Sequence, residues 1–458
     1  MSTVRILADR IFDGVSFSSE PRRIEIEGER IARIVPANVP APGDIDARGE
    51  TVLPGLVNAH VHIARGGMFE PLEPLSISQV VTNLRLTLAA GVTTVGDMGC
   101  APGLAGALAS LVRDDPLAGP SIVAAGPILT APRGYPLDWL PAFYQRAGVA
   151  LACANEDEAR RAVERVARAG MSHVKLAVMH RSYSDRPLAA LEARVARAAV
   201  AEAHASGLKA FAHAHSVQDY GVALAAGVDA LMHSSFEPLD AELVDRVRDS
   251  GVTVCPTLWV FDSVCLGAEA AWDRDSRRTG GVTRAVVRSW RRFREAYETS
   301  GDVLPAGIAG GLPKARAREG VRFAAANLVL LRDAGVPIAY GDDAAYGFCV
   351  HGRPFEELDA MRRTGMSVEA CLRAATSGSA ALLGLGDRGR IAAGHGADIL
   401  VVDGDLERDL GALERVRHVL VRGRRLDGGL FERSARAARA GVAVARGMAA
   451  TAVAMLRA

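Results

Sequence analysis

The stretch LPGLVNAHVH, residues 53–62, joins an apolar run to two histidines separated by one residue. On a β-strand, alternate side chains point to the same face, so His60 and His62 would lie about 6–7 Å apart along the strand. Two imidazoles in that position can bind one metal ion. They can equally be two hydrogen-bonded polar residues at the end of a strand, and the pair alone does not decide between the two interpretations.

From Leu53 onward, apolar strand-like runs alternate with amphipathic stretches rich in Ala, Arg and Glu, a pattern typical of βα units and a parallel sheet. Eight strand candidates occur in order: LPGLVNAHVH, GVTTVGDMG, SIVAAGPILTA, HVKLAV, LKAFAHAH, VDALMHSS, VTVCPTLWV and VPIAYGDDA. Eight such units predict an α/β fold of the (β/α)8 or TIM-barrel type. The active site of such a barrel is assembled at the C-terminal ends of its strands.

The segments on either side of the barrel are β-rich and punctuated by glycine. Residues 1–52 and 389–430 are each too small to bury a core, so we predict that both termini build one small β-sandwich domain. The barrel then spans residues 53–388, with an insertion at residues 262–320 that is either a lid over the site or a surface elaboration. The Ala-rich tail, residues 431–458, predicts a C-terminal helix.

The composition argues against several classes of protein. The formal net charge is +1 and basic residues are spread along the chain, so we expect no nucleic-acid and no membrane partner. The first residues lack the order of a secretory signal, and no apolar run is long enough to span a bilayer. The six cysteines are dispersed without a CxxC pair, which argues against a disulfide framework or a thiolate zinc site. We expect a cytoplasmic protein that acts on a small molecule, and we also expect a homo-oligomer.

Side chains able to bind metal recur at the ends of the predicted strands. The C-terminal ends of barrel strands meet on one face, so these side chains predict a metal site there. Along the chain they are His60, His62, Lys175, His213, His215, His233, Asp342 and Asp343.

Lys175 is the unusual member of this set, because the chain has only three lysines, at positions 175, 209 and 314. An ammonium group has no lone pair and repels a cation. A desolvated lysine loses its proton more readily, and the neutral amine can take up carbon dioxide to form a carbamate whose oxygens bridge two metal ions. The alternative is a buried ammonium paired with an acid. We favour the carbamate because imidazoles surround Lys175.

Together these motifs resemble the amidohydrolase superfamily, in particular its imidazolonepropionase-like and prolidase-like branch of binuclear metal hydrolases. The resemblance covers nearly the whole chain. It rests on LPGLVNAHVH, GVTTVGDMG, HVKLAV, AFAHAHS followed by AAGVDALMHSS, AYGDDAA and GRIAAGHGADILVVDGD. It implies two divalent ions as cofactors, most typically zinc, with manganese, iron or cobalt as alternatives, and a carboxylated lysine.

The resemblance also implies a role for each ligand. The first two histidines and Asp343 hold the more buried ion, His213 and His233 hold the more exposed ion, and carboxylated Lys175 and a hydroxide bridge the two. Asp343, and not Asp342, occupies the aspartate position of the family's G-T-D-A pattern, and it serves as the catalytic proton shuttle. The implied metal ligands are His60, His62, Lys175, His213, His233 and Asp343.

The function that this site implies is hydrolysis of a C–N amide bond in a dipeptide, an N-acyl amino acid or a cyclic amide. The alternatives are a lactone, ester or phosphotriester as substrate, or a biosynthetic ring closure or opening at the same site. A mononuclear deaminase is disfavoured, because Ser216 and Gln218 stand where such enzymes carry glutamate. A non-catalytic scaffold would show gaps in the ligand set, and none occurs.

Four further residues are predicted to contact the substrate. His215 lies two residues beyond the strand-five ligand, where it would share that ligand's face and contact either the substrate or a residue next to the site. The reverse assignment, with His215 as the ligand and His213 as the contact, stays open. Arg181 and Tyr183 follow strand four in the sequence MHRSY, and His351 follows strand eight. An arginine fork suits a carboxylate, and the other three side chains can hydrogen-bond a carbonyl oxygen. Arg181, Tyr183 and His351 can equally be ordinary loop residues.

Overall fold

The computed structural model describes residues 3–70, 73, 75–300, 302–304, 312–427 and 430–457. Its strands are β1 (Thr3–Ala8), β2 (Ile11–Phe12), β3 (Phe17–Ser18), β4 (Arg22–Glu27), β5 (Arg30–Pro36), β6 (Asp44–Asp46), β7 (Thr51–Pro54), β8 (Leu56–Val61), β9 (Val92–Asp97), β10 (Ser121–Ala124), β11 (Ile128–Thr130), β12 (Ala150–Ala152), β13 (His173–Ala177), β14 (Lys209–His213), β15 (Ala230–Met232), β16 (Thr253–Cys255), β17 (Asp302–Leu304), β18 (Leu312–Pro313), β19 (Ile399–Val402), β20 (Val416–Val421) and β21 (Arg424–Arg425).

The α-helices are α1 (Ile77–Ala89), α2 (Pro102–Asp114), α3 (Ala142–Arg146), α4 (Glu156–Arg168), α5 (Ala193–Ala205), α6 (Val217–Ala226), α7 (Ala241–Ser250), α8 (Leu258–Glu269), α9 (Ser276–Thr279), α10 (Arg284–Ser300), α11 (Lys314–Asp333), α12 (Pro354–Arg363), α13 (Val368–Arg373), α14 (Ser379–Leu382) and α15 (Leu430–Arg457). Among the helices that the structure describes, none is long and apolar enough to cross a membrane.

Local sequence explains where the barrel helices begin and end. Helix α4 starts at Asn155, whose side chain accepts from the N–H of Glu158, and it has acidic residues in its first turn and basic residues in its last. Helix α6 starts with a capping box between Ser216 and Asp219 and ends at Gly227 in the left-handed conformation. Such signals fix the helix ends and therefore the short loops that carry the site.

The barrel strands follow the predicted order with two changes. The third predicted strand is divided: β10 pairs in parallel with β9, and β11 pairs with β13. Gly126, at φ +70°, lies in the turn between the two halves. The seventh predicted strand is shorter than expected, because β16 ends at Cys255 and α8 begins at Leu258. The carboxylate of Glu357 accepts the N–H groups of Leu258 and Trp259 and so supports this helix start.

The eighth predicted strand closes the barrel through a few backbone bonds. Ala59 N–H donates to the carbonyl of Tyr340 (2.8 Å), and Val254 N–H donates to the carbonyl of Pro337 (2.9 Å). The segment thereby joins β8 on one side and β16 on the other, as a barrel requires. The predicted (β/α)8 fold class is confirmed.

Both termini contribute to one β-sandwich, as the fold prediction requires. One sheet has the order β5-β4-β1-β6, and the other has the order β21-β20-β19-β7-β2-β3. Their facing side chains form a shared buried core that includes Ile6, Ile24, Val52, Ile399 and Leu420.

The segment predicted as an insertion, residues 262–320, includes most of α8, α9, α10, the β17–β18 hairpin and the start of α11; its residues 301 and 305–311 fall outside the described residues. Trp290 and Phe293 of α10 pack with Phe69 and Phe348, which lie in the loops after β8 and after the eighth strand segment. The indole N–H of Trp290 donates to the carbonyl of Gly67 (2.9 Å). This part of the insertion therefore braces two loops at the C-terminal end of the barrel.

Candidate metal centre and active-site cavity

The two histidines of the stretch 53–62 meet Asp343 at the C-terminal end of the barrel. The Nε2 atoms of His60 and of His62 each lie 3.3 Å from Oδ1 of Asp343. Asp343 adopts φ +56°, and its N–H donates to the carbonyl of His60 (2.9 Å). Gly341 leaves room for this approach, since a Cβ there would lie 2.6 Å from the Cβ of His60. Strand one and strand eight are therefore joined at the site itself.

His233, directly after β15, completes the cluster. Its Nδ1 is hydrogen-bonded to Oγ1 of Thr257 at 2.7 Å and lies 4.0 Å from Oδ2 of Asp343. The His233 ring centroid lies 4.8 Å from that of His60 and 4.4 Å from that of His213. Ligand atoms of His60, His233 and Asp343 all lie within 4.8 Å of one another, a spacing that suits a single divalent ion.

Lys175 lies in the centre of β13, and its Nζ atom is buried without a hydrogen-bond partner among the described residues. Burial lowers the pKa of Lys175 to about 7, against the opposing charge of Asp343. A neutral amine is therefore accessible near neutral pH. Nε2 of His213, on the same cavity wall, is also buried without a partner in the described part of the chain. Orphaned nitrogens in one place fit a group that binds metal.

The electrostatics of the site favour neutral imidazoles and an ionised carboxylate. Burial, followed by the charge of Lys175, holds the pKa of His60 well below its usual value, and burial lowers the pKa of His233 to about 3. Burial acts to raise the pKa of Asp343, but the hydrogen bond from His62 and the surrounding basic side chains outweigh it, so the pKa of Asp343 lies below its usual value. Neutral imidazole nitrogens and carboxylate oxygens are the donors that a divalent ion such as zinc takes.

These side chains open into one cavity of about 390 Å³, a size suited to a small molecule. The structure brings all six predicted metal ligands to its wall: His60, His62, Lys175, His213, His233 and Asp343.

Tyrosine hydroxyls add hydrogen-bond donors to the same cavity, which Tyr135, Tyr183 and Tyr346 all line. The ring of Tyr135 stacks on His213, with centroids 4.5 Å apart. Burial, reinforced by the charge of Asp343, raises the pKa of Tyr135 and of Tyr183, so both phenols stay protonated and able to donate. The sequence analysis missed Tyr135 and Tyr346. Their positions just after strands three and eight were the available signal.

Tyr183 is the one residue of the four predicted substrate contacts that lines the cavity; the structure does not bring Arg181, His215 or His351 to its wall. Arg181 is exposed and donates to the carbonyl of Asp185 (3.2 Å). Nε2 of His351 lies 3.3 Å from the carbonyl oxygen of His62, in the loop after β8.

His215 lies close to His213, with ring centroids 5.9 Å apart, but it does not line the cavity. Strand β14 ends at His213 and the chain turns into α6, so the alternation of strand side chains no longer applies. Its Nδ1 lies 3.4 Å from Oδ2 of Asp219, and its ring packs against Tyr183 at 4.5 Å. His215 therefore supports a residue that lines the cavity.

The protein is a (β/α)8 barrel, and its strand ends carry histidines, a lysine and an aspartate around one cavity. This combination is typical of barrel hydrolases with a metal site. The model of the amidohydrolase family matches residues 51–426, and the chain belongs to that family. It is accordingly an enzyme, a hydrolase of the amidohydrolase family.

Similar proteins cover nearly the same extent of chain. An uncharacterized protein of Mycobacterium tuberculosis is 28% identical over 383 residues, which cover 82% of this chain and 85% of the relative. The crystal structure of a Xaa-Pro dipeptidase with bound methionine is similar with a TM-score of 0.76 at 24% identity, over 93% of this chain and 100% of that chain. Aspergillus niger ochratoxinase is similar with a TM-score of 0.72 at 19% identity, over 93% and 96% of the two chains.

Proposed function

We propose that this enzyme hydrolyses the C–N amide bond of a small dipeptide, N-acyl amino acid or cyclic amide at a site that holds two divalent ions, typically zinc. The observation that carries the proposal is the meeting of six potential ligands on one cavity wall, among them a lysine whose buried Nζ has no hydrogen-bond partner in the described part of the chain. An ordinary buried ammonium would be paired with an acid, whereas a carbamate on Lys175 is an anionic ligand.

We assign the ligands to two adjacent ions, with His233, whose ligand atom lies within 4.8 Å of those of His60 and Asp343, at the boundary between the two groups. His60, His62 and Asp343 would hold one ion, since both imidazole Nε2 atoms lie against the same carboxylate oxygen. His213 and His233, with ring centroids 4.4 Å apart, would hold the other. Two ions in these places would supply the activated water and the polarised carbonyl that amide hydrolysis needs.

The chain's own residues perform the proton transfers and orient the substrate. Asp343 accepts a proton from the attacking water and delivers it to the departing nitrogen, because its carboxylate faces the cavity and its lowered pKa keeps it ionised before attack. Tyr135, Tyr183 and Tyr346 are protonated donors on the same wall, so their phenols bind the carbonyl oxygen of the amide. The similar dipeptidase is consistent with an amide of this size.

The test measures the metal content of the protein and looks for the carbamate on Lys175. Protein reconstituted with metal and ¹³C-labelled bicarbonate should bind two ions per chain and show one carbamate carbon by ¹³C NMR, because the chain has only three lysines. Lys175→Ala should lose that signal and most of the bound metal. Lys314→Ala is the matched control, since Lys314 pairs with Glu269 on the surface and lies outside the cavity wall.

A substrate screen completes the experiment. Dipeptides, N-acyl amino acids, cyclic amides, lactones and phosphotriesters would be compared at equal concentration, and the amides should be hydrolysed fastest. An unchanged Lys175→Ala variant, or a carbamate signal that persists in it, would refute the two-ion site. Faster hydrolysis of lactones or phosphotriesters than of any amide would refute the proposed substrate class.

A further inference from the structure

The active-site cavity has a wall that does not come from the barrel. Helix α15 contributes Met448, Thr451, Ala452 and Met455 to the cavity lining. Thr451, Ala452 and Met455 lie three, four and seven residues after Met448, so the four side chains share one face of the helix. Helix α15 lies against α1, α2 and α3, which follow the first strands of the barrel. The C-terminal helix thus reaches a cavity whose metal-binding end is built from distant parts of the chain.

Two glycines allow α15 to approach α2 closely. A Cβ at Gly447 would lie 2.8 Å from Cα of Leu104, and a Cβ at Gly103 would lie 3.1 Å from Cβ of Ala450. Any larger side chain at Gly447 would therefore push the two helices apart. Leu104 itself lines the cavity, so the helix contact continues directly into the cavity wall. The close approach is what lets Met448 reach the lining.

The part of α15 that lines the cavity carries no charged side chain among its described residues. Outside the six metal ligands, the charged residues among the described lining are Arg65, Glu73 and Asp138. Nη2 of Arg65 lies 3.5 Å from Oε2 of Glu73. Asp138 pairs with Arg186 at 2.8 Å. Elsewhere on the lining, Nε and Nη2 of Arg65 and Oδ1 of Asp138 are buried without a hydrogen-bond partner among the described residues. A substrate group that lies against α15 meets methionine, threonine and alanine side chains and no charged side chain of that helix among the described lining residues, which disfavours a charged group there.

We propose that α15 is a specificity element, in which Met448 and Met455 receive an uncharged, apolar part of the amide substrate. This inference rests on the proposed function, because it assigns the substrate class of the same cavity. Methionine suits the role, since its unbranched, flexible side chain adapts to apolar groups of different shape. Thr451 presents no unbonded hydroxyl proton, because its Oγ1 donates to the carbonyl of Gly447 within the helix (2.9 Å).

The binding test uses ligands that cannot be hydrolysed. Linear methyl ketones from 2-butanone to 2-decanone keep a carbonyl and add only methylene groups, and calorimetry on the full-length, metal-loaded protein measures their affinity. Burial of each added methylene should raise the affinity about three- to fourfold until the apolar end is filled. A ketone with a carboxylate at its far end, 9-oxodecanoate, should bind at least about tenfold more weakly than 2-decanone.

Substitutions on α15 distinguish an effect on the cavity wall from a general effect on the helix. Met448→Trp should fill the apolar end and lower the affinity for 2-decanone by about tenfold or more, with 2-butanone within about twofold of wild type. Val453→Trp is the matched control, because Val453 lies on the same helix but is 46% exposed. Met455→Ala should enlarge the apolar end of the cavity, so the affinity should keep rising for ketones longer than those that wild type accommodates. This variant also tests the proposal if Met448→Trp does not fold.

Each outcome bears on one proposal. Affinity that does not depend on chain length, tight binding of 9-oxodecanoate, or equal effects of Met448→Trp and Val453→Trp would overturn the specificity role of α15. If ketone binding follows Met448 and no amide is hydrolysed, the specificity wall stands and the proposed function fails. If amides are hydrolysed with no preference for apolar groups and Met448→Trp changes no rate, the function stands and the inference fails.

Discussion

Replacing Asp219 by asparagine tests whether one buried carboxylate holds an edge of the cavity in place. Oδ1 of Asp219 accepts the N–H of His180 (3.0 Å) and lies 2.7 Å from the Nδ1 atom of the same residue. Oδ2 accepts the N–H groups of His215 (3.3 Å) and Ser216 (3.2 Å). The side chain is fully buried. It therefore joins the loop after β13, which carries Tyr183, to the end of β14.

The expected magnitude follows from these bonds. Asparagine has the same shape, but one of its two side-chain atoms is an NH₂ group, which cannot accept the N–H groups it would face. At least one buried backbone N–H then loses its acceptor, at a cost of about 1–3 kcal/mol. The remaining bonds lose a charged acceptor, which costs about another 1 kcal/mol. We expect Asp219→Asn to lower the free energy of unfolding by about 2–4 kcal/mol.

Urea unfolding followed by circular dichroism, with reversibility checked by refolding, measures this change. Asp240→Asn is the matched control, because Asp240 caps α7 by accepting the N–H of Leu243 (2.8 Å) at an exposed position. Asparagine caps a helix as well as aspartate does, so this variant should stay within about 0.5 kcal/mol of wild type. An Asp219→Asn variant as stable as the control would refute the reasoning.

The pH dependence provides an independent check. Burial acts to raise the pKa of Asp219, but the hydrogen bond from His180 and the charge of His215 outweigh it and hold the pKa below its usual value. A folded-state pKa below the unfolded one gives stability that is present above the unfolded pKa and is lost as the pH falls through the folded one. The advantage of wild type over Asp219→Asn should persist at about pH 5 and shrink below about pH 4.

Two further substitutions test how the metal ligands are positioned. Thr257→Val keeps nearly the same side-chain volume but removes the hydroxyl that lies 2.7 Å from Nδ1 of His233. The metal affinity, measured by chelator competition, should fall about 10–100-fold. An unchanged affinity would mean that other contacts orient His233. Gly341→Ala places a Cβ 2.6 Å from Cβ of His60, so stability should fall by about 1–3 kcal/mol and metal per chain should drop. Gly386→Ala, where a Cβ meets no atom within 4 Å, should change neither quantity.

The meeting of the six proposed ligands at one cavity can be predicted from the sequence, because barrel topology sends the C-terminal ends of all parallel strands to one face. His60 and Lys175 are far apart in sequence, yet each side chain's position is fixed by its strand and by the alternation along it. The structure accordingly brings all six side chains to one cavity. The prediction needed only strand positions and residue chemistry.

Residues beyond the strand ends do not follow from the same rules. Arg181 is exposed in a loop, and His215 lies beyond the end of β14, where the alternation of strand side chains no longer applies. Periodicity predicts that the C-terminal tail is a helix but does not name its neighbour. That neighbour depends on the close approach at Gly103 and Gly447, which only the packed structure reveals.

The cavity therefore joins two parts with different structural support. The ligands lie on or directly beside paired strands, where a shift of one residue disturbs its neighbours on both sides. The apolar wall lies on one terminal helix, held by its contact with α2 and by an ion pair between Arg439 and Asp115 (2.5 Å). Substitutions at Met448 can alter which apolar group fits without moving any proposed ligand, because among the described residues no backbone hydrogen bond joins α15 to the barrel strands. Substrate preference should consequently change more easily than metal binding in this fold.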